Sequence, residues 1–279
     1  MDRRIFLRTL GAMGGAAMMT ASSSKAEPVA AFEKNLGVLV DTTRCLGCRT
    51  CERSCAKAHG FPEPDPSDRT IFDRQRTPGE SQWTVVNRYK TNTGRVFVKR
   101  QCMHCSQPAC VAACLTKAMY KTDEGPVIWR EDKCMGCRYC MVSCPFDVPK
   151  FEYNSAVPRI QKCILCWDRL QQGKQPACVE NCPAKALLFG SRKDLIETGK
   201  GRIYQKPDKY IHQIYGEQEV GGTGWLYLSG VPFDLIGFRT DLGKTPYPEY
   251  TKQFLYGVPI VLILWPAMLL ALHKSTDRE

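Results

Sequence analysis

The sequence predicts an α+β fold of two similar halves, built from short hairpins and short helices, with one apolar helix at the C-terminal end. Three observations predict this architecture. The chain of 279 residues contains 16 cysteines, and these fall into four groups of four. Short apolar stretches separated by turn residues are typical of two-stranded hairpins. One uncharged run near the C-terminus is long enough to cross a bilayer.

The N-terminal segment has the pattern of an export signal. Arg3 and Arg4 are followed by Ile-Phe-Leu and a further arginine, and then by a weakly apolar stretch rich in glycine and alanine. Ser24 and Ala26 are small residues with the spacing of a cleavage site. We therefore expect residues 1–26 to be a twin-arginine signal peptide, with a Sec-type signal or an ordinary basic N-terminus as the alternatives.

The composition allows a packed core and argues against a nucleic-acid partner. The chain is 43% hydrophobic and 24% charged, which makes wholesale disorder improbable. Its formal net charge is +11 and its pI is about 9.0, values that many nucleic-acid-binding proteins share. No run of Lys and Arg and no RNA-binding signature accompanies this charge, so we expect no nucleic-acid partner.

The segments between the cysteine groups predict short strands. Val38 to Val40 predict a strand that enters the first group, and Ala186 to Phe189 predict one that follows the last. Ser191 has the position of a helix N-cap, with Asp194 three residues further on. Two hairpins are predicted, formed by Trp83 to Tyr89 with Arg95 to Lys99 and by Ala118 to Tyr120 with Val127 to Trp129. Residues 60–80 read as a surface loop, and no combination of residues typical of a catalytic site is found.

The cysteines form an internal repeat in which every group ends in C-x3-C. The groups are Cys45, Cys48, Cys51 and Cys55; Cys102, Cys105, Cys110 and Cys114; Cys134, Cys137, Cys140 and Cys144; and Cys163, Cys166, Cys178 and Cys182. The first and third groups have the spacing of bacterial ferredoxins, in which the fourth cysteine ligates the other cluster of a pair. The sequence therefore predicts two ferredoxin-like halves around four 4Fe–4S clusters, with all 16 cysteines as iron ligands.

The spacing has a chemical reason. Three thiolates in one tight loop can bind three corners of a cubane, and we expect the fourth ligand to begin a short helix. Zinc sites, disulfides and c-type haem fit this spacing less well, because no C-x2-C-H occurs and C-x2-C pairs bridge poorly within one loop. Basic residues beside the cysteines, such as Arg49 and Lys162, are expected to offset the negative charge. His104 lies within a group that already has four thiols, so we expect it to pack or to form hydrogen bonds.

The run from Phe254 to Leu272 predicts a transmembrane helix. Its 19 uncharged residues span about 28 Å as a helix, and membrane helices tolerate Pro259 and Pro266. Lys274 and Arg278 follow the run, which favours a cytoplasmic tail. We expect four segments: a signal peptide at 1–26, a tandem 4Fe–4S domain at 27–253, a transmembrane helix at 254–272 and a cytoplasmic tail at 273–279.

Three stretches carry a resemblance to a known family: Cys102 to Cys105, Gly136 to Val142, and Tyr215 to Thr223. Over nearly its whole length the chain resembles the four-cluster ferredoxin-like electron-transfer subunits of membrane oxidoreductases. With its export signal and anchor it is most similar to the iron–sulfur subunits of membrane-bound uptake NiFe hydrogenases. The β subunits of formate dehydrogenases share the Gly-Gly-Thr stretch and the anchor. The alternative is therefore the β subunit of a molybdenum or tungsten oxidoreductase such as formate dehydrogenase, or of a related periplasmic respiratory complex.

The resemblance implies a nested sharing of the cysteines. The implied ligand sets are Cys45, Cys48, Cys51 with Cys182; Cys163, Cys166, Cys178 with Cys55; Cys102, Cys105, Cys110 with Cys144; and Cys134, Cys137, Cys140 with Cys114. It further implies an electron-transfer subunit without catalytic residues, which connects a periplasmic catalytic subunit, a hydrogenase, to a polytopic quinone-interacting membrane subunit. The iron–sulfur domain would lie in the periplasm, anchored to the inner membrane by a single helix.

Two function classes stay open beside this one. A stand-alone enzyme would need a cluster with an open iron, whereas each group here supplies four cysteines. A structural or assembly module would bind its clusters without transferring electrons.

Overall fold

The structure of the chain is a computed structural model that describes residues 35–276. The strands in this part are β1 Leu36–Asp41, β2 Val85–Thr91, β3 Gly94–Arg100, β4 Met119–Lys121, β5 Val127–Trp129, β6 Lys150–Phe151, β7 Ile160–Gln161, β8 Leu187–Ser191 and β9 Trp225–Leu228. The α-helices are α1 Thr50–His59, α2 Ala109–Ala112, α3 Tyr139–Val142, α4 Trp167–Gln171, α5 Ala177–Glu180, α6 Arg192–Gln205 and α7 Tyr247–Thr276. The predicted mixture of short strands and short helices is confirmed. The predicted signal peptide at 1–26 lies outside the described residues.

A three-stranded sheet with the order β8-β1-β9 lies at the centre. Strand β1 pairs antiparallel with β8 and parallel with β9, so the strand before the first cysteine group pairs with the strand after the last. Side chains alternate between the two faces of a strand. On one face Val38 and Trp225 belong to the core that also contains Cys178, and on the other Leu39 packs with Leu195 of α6. The first face therefore supports the cysteine groups.

The other strands form three separate two-stranded hairpins, β2-β3, β4-β5 and β6-β7. The two predicted hairpins are confirmed, and the first turns at Gly94, whose φ of 119° favours glycine. The predicted helix cap is confirmed as well, because Ser191 Oγ accepts a hydrogen bond from Asp194 N at 3.3 Å.

Helix α7 has 30 residues and carries Pro259 and Pro266 inside it. It is long and apolar enough to cross a membrane, and its large apolar side chains are exposed, for example Leu262 at 67% and Ile263 at 70%. A helix that is apolar on all sides needs an apolar environment. The coarse prediction of one apolar C-terminal helix is confirmed.

Candidate iron–sulfur centres

Every cysteine group has the same relation to a short helix. The third cysteine is the second residue of the helix in all four groups, namely Cys51 in α1, Cys110 in α2, Cys140 in α3 and Cys178 in α5. The fourth cysteine lies four residues further on, inside α1 or just beyond the end of the other three helices. The expectation that the fourth cysteine begins the helix is therefore wrong. Pro108 and Pro176 explain why two of the helices begin before the third cysteine. Each proline stands directly before its helix, where the missing N–H has no cost.

The backbone repeats along with the cysteines. The residue before the second cysteine has a left-handed conformation in all four groups, with φ of 66° at Gly47, 48° at His104, 71° at Gly136 and 56° at Leu165. Such a conformation costs a non-glycine residue about 1–2 kcal/mol. It also turns successive N–H groups toward one side, and such concave stretches of backbone bind anions. The two glycines signalled this feature in the sequence, whereas nothing signalled it at His104 or Leu165.

Helix packing brings the groups together in pairs. Helix α1 packs against α5, which joins the first group to the fourth. Helix α2 packs against α3, which joins the second group to the third. The short helices thus link cysteines that lie far apart in the sequence.

Charges between thiols of different groups join the first group to the fourth and the second to the third, as the four ligand sets implied by the resemblance require. After burial, the neighbouring thiols that raise a pKa include Cys182 for Cys45 and Cys163 for Cys55. In the same way, Cys144 raises the pKa of Cys105, and Cys114 raises the pKa of Cys140. We call the sets site A (Cys45, Cys48, Cys51, Cys182), site B (Cys55, Cys163, Cys166, Cys178), site C (Cys102, Cys105, Cys110, Cys144) and site D (Cys114, Cys134, Cys137, Cys140). These are the groupings that the resemblance implies, and their role as iron ligands stays a prediction.

The four sets also have neighbours in a fixed order. The charge of Cys178 in site B raises the pKa of Cys51 in site A, and the charge of Cys102 in site C raises the pKa of Cys163 in site B. Cys140 of site D acts on Cys110 of site C. Cys102 and Cys163 also pack in one small core. The sets therefore follow one another as A, B, C and D.

The thiols surround spaces and do not converge on single points. One cavity is lined by all four cysteines of site A, and another by all four of site D. All 16 cysteines are free thiols, so the structure contains no disulfide among them. In residues 35–276 no group of three or more His, Cys, Asp or Glu side chains is arranged to hold a single metal ion. Four thiols around a cavity suit a multi-iron cluster better than one tetrahedral ion.

Burial and backbone N–H groups act on the thiols of the sites in opposite directions. Burial raises the pKa of Cys45 to about 11 and that of Cys163 to about 12, so these thiols are protonated at neutral pH without a metal. A coordinated thiol is deprotonated outright. Backbone N–H groups already point to sulfur, as from Met119 N to Cys114 Sγ at 3.3 Å and from Leu165 N to Cys163 Sγ at 3.4 Å. The donor set fits 4Fe–4S clusters.

Two side chains near the cysteines were missed from the sequence. His59 Nε2 lies 3.4 Å from Cys166 Sγ, and its ring packs on Trp83 with 4.5 Å between centroids. Lys99 is buried among cysteines of sites A and B. Neither residue is next to a cysteine in the sequence, which is why motif analysis does not find them.

Arg49 has partners that the sequence analysis did not predict. Its Nε donates to Glu52 Oε2 at 3.0 Å, and its Nη1 donates to the carbonyls of Asp65 and Asp68. Its charge is therefore balanced by a carboxylate, and its contacts fasten the loop that contains Asp65 and Asp68. Arg49 also lines the cavity of site A, and the expectation that it offsets thiolate charge stays a prediction.

Glu52 fixes helix α1 to the first hairpin. Its side chain is fully buried and accepts hydrogen bonds from Arg49, from Arg76 Nη2 at 2.6 Å and from Val86 N at 2.5 Å. Because α1 carries Cys51 and Cys55, this carboxylate holds the helix of both ligands against β2.

Replacing Glu52 by alanine is expected to destabilise the protein strongly. The change leaves Arg49 and Arg76 buried without a carboxylate, and the loss of one partner from a buried ion pair costs about 3–5 kcal/mol. Denaturant unfolding, followed by loss of the visible iron–sulfur absorbance, measures the effect. Glu63→Ala is the control, since its pair with Arg53 is exposed and contributes about 1 kcal/mol or less. Equal stability of the two variants would contradict this role of Glu52.

Comparison with known proteins identifies the family. A model of the 4Fe-4S dicluster domain matches residues 94–192. A protein of Nitratidesulfovibrio vulgaris is 47% identical over 288 residues, which cover 100% of this chain and 78% of the relative. The hydrogenase-2 operon protein HybA of Escherichia coli O157:H7 is 33% identical over 319 residues, which cover 100% of this chain and 97% of HybA. The iron–sulfur subunit of the nitrate-inducible formate dehydrogenase of Escherichia coli K12 is 31% identical over 204 residues, 71% of this chain and 69% of that subunit.

The match to HybA runs over the full length, and the dicluster model covers the cysteines of the second, third and fourth groups. The chain therefore belongs to the family of 4Fe–4S electron-transfer subunits of oxidoreductase complexes that includes HybA and the iron–sulfur subunits of formate dehydrogenases.

Proposed function

We propose that this chain relays electrons between a catalytic subunit and a membrane subunit through four 4Fe–4S clusters, bound at sites A, B, C and D. The observation that carries the proposal is the continuous neighbour order of the four cysteine sets. In this reading sites A and B form one ferredoxin-like half, and sites C and D form the other. The helix pairs α1 with α5 and α2 with α3 support that division.

The chain's own residues prepare the four sites for electron transfer. Each 4Fe–4S cluster, when bound, accepts and releases one electron. The cysteines supply four thiolates for each site, and the left-handed residues Gly47, His104, Gly136 and Leu165 turn backbone N–H groups toward them. Seven of the 16 cysteines are buried, eight are half-buried and Cys137 is exposed, which limits the access of water to the sites. No acid, base or nucleophile is required of the protein for this function.

Site D is the end that faces the membrane partner. A groove of mostly apolar lining joins helix α2 and Tyr139 of α3 to the first turns of α7, so the C and D half lies beside the start of the apolar helix. Around site D, Leu115 is 87% exposed and Val142 is 84% exposed, and Cys137 is exposed as well. Exposed apolar side chains around a redox site are typical of a docking surface. Site A, with Leu46 exposed at 66% beside Cys45, is then the end that faces the catalytic partner.

We propose a periplasmic hydrogenase as the catalytic partner and a polytopic quinone-interacting protein as the membrane partner. The full-length match to a hydrogenase-2 operon protein supports the first. The shorter match to a formate dehydrogenase subunit keeps a molybdenum or tungsten enzyme as the second candidate. We further propose that residues 1–26 direct export by the twin-arginine route and that residues 254–272 anchor the domain at 27–253 to the inner membrane, with residues 273–279 in the cytoplasm.

Metal analysis and rapid reduction of the complex test this function. We expect the complex, purified without air, to contain about 16 iron atoms per copy of this chain, and its clusters to bleach on the turnover timescale when substrate is added. Stoichiometric nickel with bleaching by hydrogen supports the hydrogenase partner. Molybdenum or tungsten without nickel would support a molybdenum or tungsten enzyme as the catalytic partner. Clusters that stay oxidised during turnover would contradict the relay and favour a structural module.

A further inference from the structure

Lys99 is a buried lysine near the end of β3. Its side chain is 3% exposed, and Nζ donates a hydrogen bond to Gln101 Oε1 at 2.9 Å. The ammonium group lies 4.2 Å from the centroid of the Trp225 ring, which is itself fully buried. Tyr227 closes the network, because its hydroxyl accepts from Gln101 Nε2 and donates to the Lys99 carbonyl. These contacts hold the ammonium group in one place.

The negative charges that face Lys99 come from cysteines. Within residues 35–276 no carboxylate forms an ion pair with it. The sulfur atoms whose charge reaches its ammonium group are those of Cys178, Cys51 and Cys163. A buried ammonium group without an anion is strongly unfavourable, so the neighbouring sites have to supply the anion.

Lys99 lies between site A and site B. It lines the cavity of site A, together with Cys45 and Cys51. The Trp225 ring on which its ammonium group lies packs in the same core as Cys178 of site B. One fixed positive charge is therefore shared by two adjacent cysteine sets.

Two other lysines near the cysteines, the half-buried Lys121 and the buried Lys162, differ from Lys99. Lys121 Nζ donates to the carbonyls of Cys105 and Gly125, and Lys162 Nζ donates to those of Val127 and Cys163. The thiol charges that act on Lys121 belong to site C, and Lys162 acts on Cys110 of the same site. A change at Lys99 is therefore expected to affect sites A and B and to leave sites C and D unchanged.

We propose that Lys99 is a positioning residue that supplies a shared positive charge to sites A and B and raises the reduction potentials of both clusters. The inference rests on the proposed function, since it requires clusters at these sites. A positive charge stabilises the reduced form, which carries one more negative charge than the oxidised form. Reduction transfers one electron from the proposed catalytic partner to the cluster that would be bound at site A or B. It makes and breaks no bond, and it leaves the proton on Lys99. Clusters at sites A and B are therefore easier to reduce than they would be without the charge of Lys99.

Redox titration of the complex, followed by electron paramagnetic resonance, tests the inference. In Lys99→Met the ratio of reduced to oxidised cluster at a fixed potential should fall about tenfold for two clusters, a shift of about 59 mV for a one-electron couple. The other two clusters should keep their potentials. Lys99→Arg keeps the charge and should restore the wild-type values. Lys90→Met, an exposed lysine on the same hairpin, is the matched control and should change nothing.

The remaining outcomes separate the possible failures. Unchanged potentials in Lys99→Met, or equal shifts in Lys99→Met and Lys99→Arg, would overturn the inference while leaving the relay intact. Loss of two clusters in Lys99→Met with all four retained in Lys99→Arg supports it, because charge alone then decides. Loss of clusters in both variants would overturn it in favour of a packing role against Trp225. Fewer than four clusters in the wild-type chain would instead be a failure of the proposed function, visible without any substitution.

Discussion

Replacing Cys48 and Cys182 together by alanine is expected to remove one cluster, whereas replacing Cys166 and Cys182 together is expected to remove two. The reason is that Cys182 faces the thiols of the first group, although it belongs to the fourth group in the sequence. Iron should fall from about 16 to about 12 atoms per chain in the first double variant and to about 8 in the second. Iron analysis, with counting of the paramagnetic resonance signals, measures both.

The comparison controls itself, because both double variants contain Cys182→Ala. Any misfolding caused by that substitution affects both equally, and only the partner differs. If every group of four bound its own cluster, the result would be reversed. Replacing Cys166 and Cys182 would then remove one cluster, and replacing Cys48 and Cys182 would remove two. That reversed outcome would contradict the nested ligand sets, and with them the order of sites A to D.

The position of site A also connects cluster binding to the stability of the fold. Site A joins the segment after β1 to the segment before β8, and β1 pairs with β8 next to it. A cluster at site A therefore closes a loop of more than a hundred residues, and such a closure removes much conformational freedom from the unfolded chain. We accordingly expect the loss of site A to reduce the stability of the β8-β1-β9 sheet.

The sequence was informative where the signals are local. Strand β1, the hairpins β2-β3 and β4-β5, and the Ser191 cap depend on turn residues and alternation within a few positions. The cysteine spacing is equally local, which is why the sequence alone identifies the candidate ligands. Strand β9 was not predicted, because its apolar run does not alternate and its partner β1 lies almost two hundred residues earlier.

The surroundings of the sites were less predictable than the sites themselves. Lys99 stands next to Val98 in a hairpin strand, and both are buried, so alternation of burial does not identify the lysine. The left-handed conformations at His104 and Leu165 have no signal of their own, since only their glycine counterparts reveal a special backbone. The role of Arg49 depended on Glu52 and on carbonyls of a distant loop. In each case the deciding contact is one that the local sequence pattern does not encode.

Ending the chain after Lys252 is expected to transfer it from the membrane to the soluble periplasmic fraction, with its iron retained. The removed residues include most of α7, whose apolar side chains are exposed along the helix. Eleven Leu, Ile, Val and Phe residues between 254 and 272 together favour insertion by roughly 3–6 kcal/mol. Fractionation of cells that produce the chain without other subunits, with iron analysis of each fraction, measures the change.

Two further variants show which part of the chain is responsible. Ending the chain after Leu272 removes only the predicted tail and should leave the protein in the membrane. Combining the end at Lys252 with Arg3→Lys and Arg4→Lys should leave a soluble protein in the cytoplasm, because the paired arginines are the core of the predicted export signal. A chain that ends at Lys252 and stays in the membrane would contradict the anchor, and one that reaches the periplasm without the arginines would contradict the export route.

The truncation also separates anchoring from electron transfer. The four cysteine sets lie between residues 45 and 182, so a chain that ends at Lys252 retains all of them. In the complex its clusters should still be reduced by the catalytic partner through site A. Transfer from site D to quinone should fall sharply, because the groove between α2 and the start of α7 no longer positions this end beside the membrane. Undiminished quinone reduction would mean that site D docks through its exposed residues, such as Leu115 and Val142, without the helix.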